Sequence, residues 1–375
     1  MKALQDVLRV YRQPPSAAAL VTVVHTEGSV YRRPGARMLL LPDGTAIGAI
    51  SGGCLEGDIG CHAQAVMASG QPQLVTYDAI ANDDVLWGLG IGCSGRVDVL
   101  IEALTPSPYN PLNLIDACFR EGQCGVLATV FHSKQPAVVV GDRLLRYPSG
   151  EIVSSLQDAA LQDKLGSDAE TVLQQKETAE KTYRGGSVTA LIEIVQPPQP
   201  LIIFGAGHDA VPLAQLARGL GWHITLCDRR SAYATPERFP AADQILVQRA
   251  EDGLGALSLT PTTAAVIMTH SYLDDRHWLG ALLASPVGYV GQLGPKYRTE
   301  RLLRDLREDG ATFTPAQLQR LHAPIGLDVG AETPEEIALA ILAEIRAAMA
   351  GRDGGYLCNR SGPIHARPSV PCLSV

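Results

Sequence analysis

Several features that mark particular classes of protein are missing from this chain. The 39 acidic residues outnumber the 31 basic ones, and Lys and Arg form no basic stripe of the kind that binds nucleic acid. Residues 1–8 read as a helix but lack the apolar core of a signal peptide. No later run approaches the roughly 18 apolar residues that cross a membrane. We therefore expect a cytoplasmic protein that binds neither nucleic acid nor membranes.

The cysteines also lack a structural pattern. None of the eight belongs to a pair of C-x2-C motifs, and a chain of 375 residues that is 46% hydrophobic can build cores without a disulfide scaffold. We expect most of these cysteines to be reduced thiols. Four of them stand in helix or strand patterns and are predicted to be core residues: Cys61, Cys118, Cys124 and Cys227.

At about 150 residues for each domain, the chain length favours two domains and allows three. The stretch QPPQP at residues 196–200 is typical of a stiff linker, because proline fixes φ and cannot extend a strand ladder. Beyond it, strands alternate with helices, which predicts a parallel sheet. No fixed-period repeat is evident. The predicted organisation is an N-terminal α+β domain over residues 1–195, the linker 196–200, a Rossmann-like doubly wound domain over 201–350 and a tail over 351–375.

The N-terminal domain carries two cysteines that are framed by glycine. Cys54 lies in SGGCLE at residues 51–56, where a predicted helix begins, and Cys93 lies in GLGIGCSG at residues 88–95. Glycine permits unusual dihedrals and close approach to the main chain, so both thiols are predicted to be presented rather than packed. A thiolate binds soft partners such as copper(I), iron–sulfur clusters or a sulfur-bearing metal cofactor. The alternative is that each cysteine is a small buried hydrophobe.

Two other segments of this domain have polar signals. Residues 28–35, GSVYRRPG, place Arg32 and Arg33 in a glycine-bounded loop, which suits either an anionic ligand or a solvated turn. Residues 156–182 are rich in Gln, Asp and Lys. We predict that this segment is an interaction surface or a solvated linker.

The second domain opens with a nucleotide-binding pattern. A strand over 201–204 leads into GAGHDA at 205–210, the dinucleotide fingerprint in its alanine form. A helix N-terminus at this point would hold a phosphate. Asp228, about twenty residues further on, is placed to bind a ribose hydroxyl, and the two arginines after it could pair with an extra phosphate or stay solvated. The glycine turn could also serve packing alone.

A second polar group follows a later strand of this domain. HSYLDD at residues 270–275 would lie at the crevice side of an open α/β sheet, where ligands bind. His270 and Asp274 could act there as acid or base. The alternative for Asp274 is that it caps a helix.

Taken in order, these motifs resemble the signatures of the xanthine dehydrogenase accessory family, XdhC/CoxI. The resemblance covers most of the chain, although Tyr31 stands where the family often has proline and Ser94 where it often has glycine. The motifs that carry it are the loop 28–38, SGGCLE at 51–56, GIGC at 90–93, GAGH at 205–208, Thr269-His270 with Asp274, residues 289–294, PIGL at 324–327 and PEEIA at 334–338.

The resemblance implies a chaperone for the molybdenum cofactor, in mononucleotide or dinucleotide form. Such a protein binds the molybdopterin, protects it while a cysteine desulfurase supplies a sulfido ligand, and delivers it to the apo-subunit of a molybdenum hydroxylase. It also implies a homodimer and a maturation factor without turnover. The predicted cofactor-binding residues are Cys54 and Cys93 for the metal end or a sulfur relay, Gly205, Gly207, His208 and Asp228 for the nucleotide or phosphate end, and Ser51, Gly52, Gly53 and Arg32.

Two other functions remain open on the sequence. An NAD(P)-dependent oxidoreductase would use the nucleotide fold with His270 and Asp274 near the hydride, and it would tolerate loss of both glycine-framed cysteines. A thiol-redox or metal-handling protein would pair Cys54 with Cys93, which requires their Cα atoms to lie within about 7 Å.

Overall fold

A computed structural model of the chain describes residues 2–13, 17–28, 30–78 and 95–361. The chain divides into two compact units, Met1–Pro197 and Pro198–Val375, and the division falls inside the proline-rich stretch. Within the described ranges, no helix has the length and apolar character to cross a membrane.

The first unit is built from five-stranded antiparallel sheets. One sheet has the strand order β3-β2-β1-β5-β4, and the other has the order β8-β7-β6-β10-β9. The first sheet and its helices are α1 (Lys2–Tyr11), β1 (Ala19–Gly28), β2 (Arg37–Leu40), β3 (Ala46–Gly48), α2 (Glu56–Ser69), β4 (Gln73–Asp78) and β5 (Gly95–Ala103). The second sheet and its helices are α3 (Pro111–Glu121), β6 (Gly125–Ser133), β7 (Arg143–Arg146), β8 (Ile152–Ser154), α4 (Ala159–Gln175), β9 (Ala179–Tyr183) and β10 (Val188–Val195).

Each of these sheets packs against a helix that lies in the connection after its third strand. Helix α2 buries Ile59, Ala63 and Val66, whose spacing places them on one helical face. The segment 156–182 was predicted to be a solvated linker or an interaction surface. The linker alternative is wrong, because most of the segment forms a helix and a strand, whereas its role as an interaction surface stays a prediction. Its sparse apolar residues have helical spacing, so α4 buries them against the sheet, and the segment continues into β9.

The second unit contains a six-stranded parallel sheet in the order β13-β12-β11-β14-β15-β16. This is the order of a dinucleotide-binding Rossmann fold, in which the topology switches direction beside the first strand. Its elements are β11 (Pro200–Phe204), α5 (Ala210–Gly219), β12 (His223–Asp228), β13 (Gln244–Val247), β14 (Ala264–Ile267), α6 (Tyr272–Ala284), β15 (Tyr289–Gln292), α7 (Lys296–Glu308), α8 (Pro315–Leu318), β16 (Leu321–His322) and α9 (Pro334–Met349).

Both faces of this parallel sheet are covered, which explains the continuous apolar runs of its strands. Along β11, Leu201 and Ile203 join the core under α5 and α9, whereas Ile202 and Phe204 join the core under α6 and α7. The start of α9 has the predicted capping box between Thr333 and Glu336. The predicted fold class, an α+β domain followed by a Rossmann-like domain, is confirmed.

Candidate functional site

The first glycine-framed cysteine, Cys54, lies in the loop of residues 51–56 between β3 and α2. We call it the clasped loop because hydrogen bonds between Ser51 and Glu56 close it. The Ser51 amide donates to Glu56 Oε1 at 2.9 Å, and the buried Ser51 hydroxyl donates to Glu56 Oε2. Ser51 Oγ also accepts from the amides of Gly53 at 3.1 Å and Leu55 at 3.3 Å. The Cys54 Sγ lies 3.7 Å from the same oxygen. Ser51 and Glu56 therefore fix the loop around the half-buried thiol.

The two glycines leave space on this loop. Gly53 has φ +110, a conformation that a side chain rarely adopts, and a Cβ at Gly52 or Gly53 would meet no atom within 4 Å. Among the described residues, the amides of Gly52 and Cys54 have no hydrogen-bond acceptor. With respect to the described part of the chain, the loop therefore offers a ligand an open stretch of main chain with two unpaired amides beside a thiol.

Glu56 adds a negative charge to the clasped loop. Burial acts to raise the pKa of Glu56, but hydrogen bonds from the Ser51 hydroxyl and from nearby backbone amides outweigh burial and lower it below the ordinary value. The carboxylate is therefore ionised at neutral pH and accepts hydrogen bonds from both ends of the loop.

The loop between β1 and β2, which bears two arginines, lies at the same end of the first sheet as the clasped loop. Strands β1 and β3 run in the same direction because each is antiparallel to β2. Arg32 and Arg33 are exposed in the first loop, and residues 51–56 follow the end of β3. Strand β4 also ends here, since the Tyr77 hydroxyl donates to Asp58 in the first turn of α2 at 2.7 Å. Guanidinium groups and the Cys54 thiol thus belong to one end of one sheet.

Four other described cysteines were predicted to be core residues, and the structure places two of them in the core. Cys118 and Cys227 are buried as predicted, and burial raises the pKa of each thiol to about 12. Cys124 is half-buried. The prediction that Cys61 is a core residue is wrong, because it lies on the exposed face of α2.

Cys93 lies outside the described residues, between β4 and β5. The structure therefore leaves its predicted role, and a Cys54–Cys93 pair, as predictions. In the described ranges, no group of three or more His, Cys, Asp or Glu side chains could hold a metal ion. A metal beside Cys54 would need ligands from elsewhere, such as those of its own cofactor.

In the second unit, the glycine turn has the geometry that its motif requires. Gly205 has φ +116, and a Cβ there would lie 2.6 Å from the Met268 carbonyl oxygen. A Cβ at Gly207 would lie 3.3 Å from Nε2 of His270. Ala210 is fully buried at the start of α5. Each of the three motif positions is therefore small for a steric reason.

The N-terminus of α5 is open to an anion. The amides of Gly207, His208 and Asp209 donate to no acceptor in the described chain, and the Asp209 side chain makes no capping bond. His208 is exposed in this turn. Free amides at a helix N-terminus, together with the helix dipole, suit a phosphate.

Asp228 lies at the end of β12, but its hydrogen bonds are already made within the chain. Its Oδ2 accepts from the Ala206 amide at 2.6 Å and from Arg230 Nη2 at 2.7 Å, and its Oδ1 accepts from the Arg230 amide at 2.8 Å and Nε at 3.0 Å. Burial acts to raise the pKa of Asp228, but the Arg230 side chain and the two amides outweigh it and lower the pKa. Asp228 therefore fixes the glycine turn as an ionised carboxylate.

His270 and Asp274 lie at the end of β14, near this turn. His270 is exposed beside Gly207. The cap of α6 is Ser271, whose Oγ accepts from the Asp274 amide at 3.3 Å, so Asp274 does not cap the helix. Instead, Asp274 accepts from Arg229 Nε at 3.0 Å. These residues join the loops after β12 and β14.

A pocket of about 210 Å³ opens at the carboxyl ends of the strands. This is the edge of the sheet at which open α/β folds bind ligands. The pocket is lined by Cys227, Asp228, Arg229, Arg230, Gln248, Ala250, Thr269, His270, Ser271, Asp274 and Trp278.

Two features beside this pocket were missed by the sequence analysis. Asp275 is fully buried and accepts from the Thr269 hydroxyl, Gln292 Nε2 at 3.1 Å and Arg298 Nη2 at 2.7 Å. Its position three residues before the buried Trp278, on the inner face of α6, was the available signal. The Asp275 network holds the loop that carries His270.

The second missed feature is an aromatic ring with two cations near it. The Tyr233 ring is 40% exposed, with the Arg230 guanidinium 4.2 Å and the Arg238 guanidinium 4.7 Å from its centroid. Arg238 also donates to the Ala206 carbonyl at 3.1 Å. Tyr233 and the two arginines lie within one loop, so the available signal was the tyrosine flanked by arginines.

Comparisons with known proteins agree with both units. One family model, described as the XdhC and CoxI family, matches residues 12–78, and another, described as the XdhC Rossmann domain, matches residues 201–345. A probable xanthine dehydrogenase subunit of Bacillus subtilis is 33% identical over 328 residues, which are 88% of this chain and 92% of that protein. The chain belongs to the XdhC/CoxI family. The resemblance drawn from the motifs is thereby confirmed.

Two more matches extend the XdhC/CoxI relationship. The molybdenum cofactor insertion chaperone PaoD of Escherichia coli is 23% identical over 337 residues, which are 88% of this chain and 82% of that protein. The crystal structure of a xanthine dehydrogenase from Bacillus halodurans matches with a TM-score of 0.75 and 29% identity over 94% of this chain and 97% of that one. These relatives do not support the NAD(P)-dependent alternative.

Proposed function

We propose that this member of the XdhC/CoxI family is an accessory factor that binds the molybdenum cofactor, protects it during sulfuration and delivers it to a hydroxylase of the xanthine dehydrogenase type. Its partners would be the apo-subunit of that hydroxylase, a cysteine desulfurase and a second copy of the chain, in the cytoplasm. The observation that carries the proposal is the clasped loop that holds Cys54 beside amides without a partner in the described chain. The similarity of the chain to a molybdenum cofactor insertion chaperone supports it.

The chemistry of the first unit suits the metal end of this cargo. A metal–dithiolene centre is soft, so thiolate sulfur is the protein ligand that it prefers. The Cys54 thiol lies at the end of the sheet that also bears Arg32, whose charge suits an anionic cargo. Cys93, from the same family pattern, is proposed as the second thiol of the metal end or of a sulfur relay.

The chemistry of the second unit suits the phosphate or nucleotide end. The free amides of Gly207 and His208 are donors for a phosphate, and Gly205 permits the turn that aims them. Asp228 is proposed to act by fixing that turn through the Ala206 amide. No step of this proposal requires His270 or Asp274 to transfer a proton, so a carrier without turnover accounts for the site.

The test is titration of the purified protein with molybdenum cofactor and, separately, with NAD(H), followed by absorbance and native mass spectrometry. We expect stoichiometric cofactor binding by the wild type and its loss in Cys54→Ser and in Cys93→Ser. Cys61→Ser is the matched control, because Cys61 is an exposed thiol of the same helix region. Undiminished binding by Cys54→Ser, or tight NAD(H) binding without cofactor binding, would overturn the proposal.

A further inference from the structure

The first unit contains the same structural plan twice. Helix α1 and strands β1–β5 with α2 form a first copy, and α3 and strands β6–β10 with α4 form a second copy, with the same order of elements and the same strand order in each sheet. Even the irregularities match, because β1 has a register shift after Val23 and β6 has one after Val130. Each bulge is followed by histidine, at His25 and His132.

The two copies also match in sequence from β2 through the helix. At a constant separation of 106 residues, as from Arg37 to Arg143, equivalent positions hold similar residues. The pairs include Gly35 with Gly141, Gly44 with Gly150, Leu55 with Leu161 and Ile59 with Leu165. No fixed-period repeat is evident in the sequence, and it is the order of the elements and strands that indicates the relation between the copies. The repeat is faint in the sequence because only two copies exist and their loops differ in chemistry.

The copies are joined by reciprocal ion pairs that are buried. Arg37 of the first copy donates to both carboxylate oxygens of Glu193 in the second, and Arg143 of the second copy donates to Glu102 in the first. Each arginine also donates to the carbonyl two residues before it, Gly35 at 2.9 Å and Gly141 at 2.7 Å. In both arginines Nε is buried and has no hydrogen-bond partner among the residues that the structure describes. The two contacts are thus equivalents under a pseudo-two-fold relation.

The carboxylate of each glutamate lies against a glycine in the other copy, Glu193 against Gly35 and Glu102 against Gly141. A Cβ at Gly35 would lie 2.6 Å from Glu193 Oε2, and a Cβ at Gly141 would lie 2.9 Å from Glu102 Oε1. Apolar contacts join the copies as well, since Val24 and Leu100 share a cluster with Phe131 and Leu191. The loop before β2 therefore rests on a carboxylate that the other copy supplies.

The copies differ at the two loops of the first copy that bear the arginines and Cys54. The loop before β2 carries Arg32 and Arg33, whereas the loop before β7 carries Val138 and Val139, and Cys54 corresponds to Ala160. In the second copy the residues equivalent to the clasped loop form the regular first turn of α4, capped by Asp158. Residues 79–94 separate β4 from β5, whereas only residues 184–187 separate β9 from β10. The differences at the arginine loop and at the clasped loop lie at the same end of the first sheet.

We propose that the first unit is a tandem duplication in which only the first copy takes the anionic cargo, and that Glu193 of the second copy is a positioning residue for its arginine loop. The cargo's identity rests on the proposed function, but the positioning role does not. Glu193 reaches Gly35 and Arg37, which anchor the loop that bears Arg32 and Arg33. The corresponding Glu102 contacts Gly141 and Arg143, next to a loop that has Val138 and Val139 and no arginine.

The duplication supplies a matched control for the test. Glu193→Gln and Glu102→Gln each weaken one Arg–Glu contact between the copies. Because Glu193 accepts from two nitrogens of Arg37 and is the more buried, whereas Glu102 accepts from one nitrogen of Arg143, we expect the larger loss of stability in urea for Glu193→Gln. Limited trypsin digestion then reports the arginine loop without any cofactor. We expect cleavage after Arg32 to accelerate in Glu193→Gln and to keep the wild-type rate in Glu102→Gln.

Cofactor titration is the second readout. We expect Glu193→Gln to bind about tenfold more weakly, as for one lost charge-assisted contact, and Glu102→Gln to bind like the wild type. Equal changes in both variants, or none in Glu193→Gln, would overturn the positioning role. A difference in cleavage with no binding by the wild type would overturn the proposed function and leave the positioning role of Glu193 standing. If Glu193→Gln fails to fold, Gly35→Ala against Gly141→Ala makes the same comparison.

Discussion

Replacing Arg230 by alanine tests how the second unit selects its ligand. In a dinucleotide-binding fold the carboxylate at the end of the second strand receives the ribose hydroxyls. Here Asp228 accepts four hydrogen bonds from its own chain, and two of these come from the Arg230 side chain. We therefore expect the wild type to bind NAD(H) poorly, because the ribose would have to displace Arg230.

The magnitude follows from the contacts that Arg230→Ala removes. Two charge-assisted hydrogen bonds and the stacking on Tyr233 would be lost. Because the Arg230 side chain is 37% exposed, solvent screens these contacts, and we expect a loss of about 1–2 kcal/mol in the free energy of unfolding. The two backbone donors remain, so Asp228 keeps one hydrogen bond on each oxygen and gains one free acceptor site on each.

The assay is a fluorescence titration with NADH, together with urea unfolding of each variant. We expect Arg230→Ala to bind NADH about tenfold more tightly than the wild type, since a buried carboxylate becomes available to the ribose. Arg229→Ala is the control, because Arg229 pairs with Asp274 and leaves Asp228 untouched. Tight NADH binding by the wild type, or unchanged affinity in Arg230→Ala, would refute the reasoning.

Three other predictions concern single sites. Gly205→Ala would lower the free energy of unfolding by about 2–6 kcal/mol in urea, from its φ of +116 and the 2.6 Å contact with backbone, whereas Gly219→Ala, with open space around it, would not destabilise the protein. Glu56 has a lowered pKa in the folded state, so its stabilisation is full above its ordinary value of 4.5 and is lost as the pH falls below it; acid unfolding followed by circular dichroism would show a shallower acid loss in Glu56→Gln, and an identical profile would contradict this. Asp275→Ala would cost about 3 kcal/mol in the same urea assay, because it leaves Arg298 and other buried donors unpaired; a cost below about 1 kcal/mol would show that the network relaxes.

The features that the sequence determined by itself are those that depend on neighbouring residues. The strand, glycine turn and helix at residues 201–219, the capping box of α9 and the helix after SGGCLE all rest on local dihedral preferences and apolar spacing. The family followed from short motifs for the same reason. The alternation of strands and helices after residue 200 was enough to predict the parallel sheet.

Tertiary structure alone decided which distant groups meet. The sequence places Asp228 at a strand end, but only the folded chain brings the Ala206 amide and Arg230 onto both of its oxygens. The pairing of Arg37 with Glu193 joins residues far apart in sequence, so no periodicity indicates it. The hydrogen bond between Ser51 and Glu56 is local in sequence. Only the comparison with the second copy, where the equivalent residues form an ordinary first turn of a helix, shows that this loop is specific to the first copy. Burial and hydrogen bonding between separate segments set these contacts, and a linear pattern records neither.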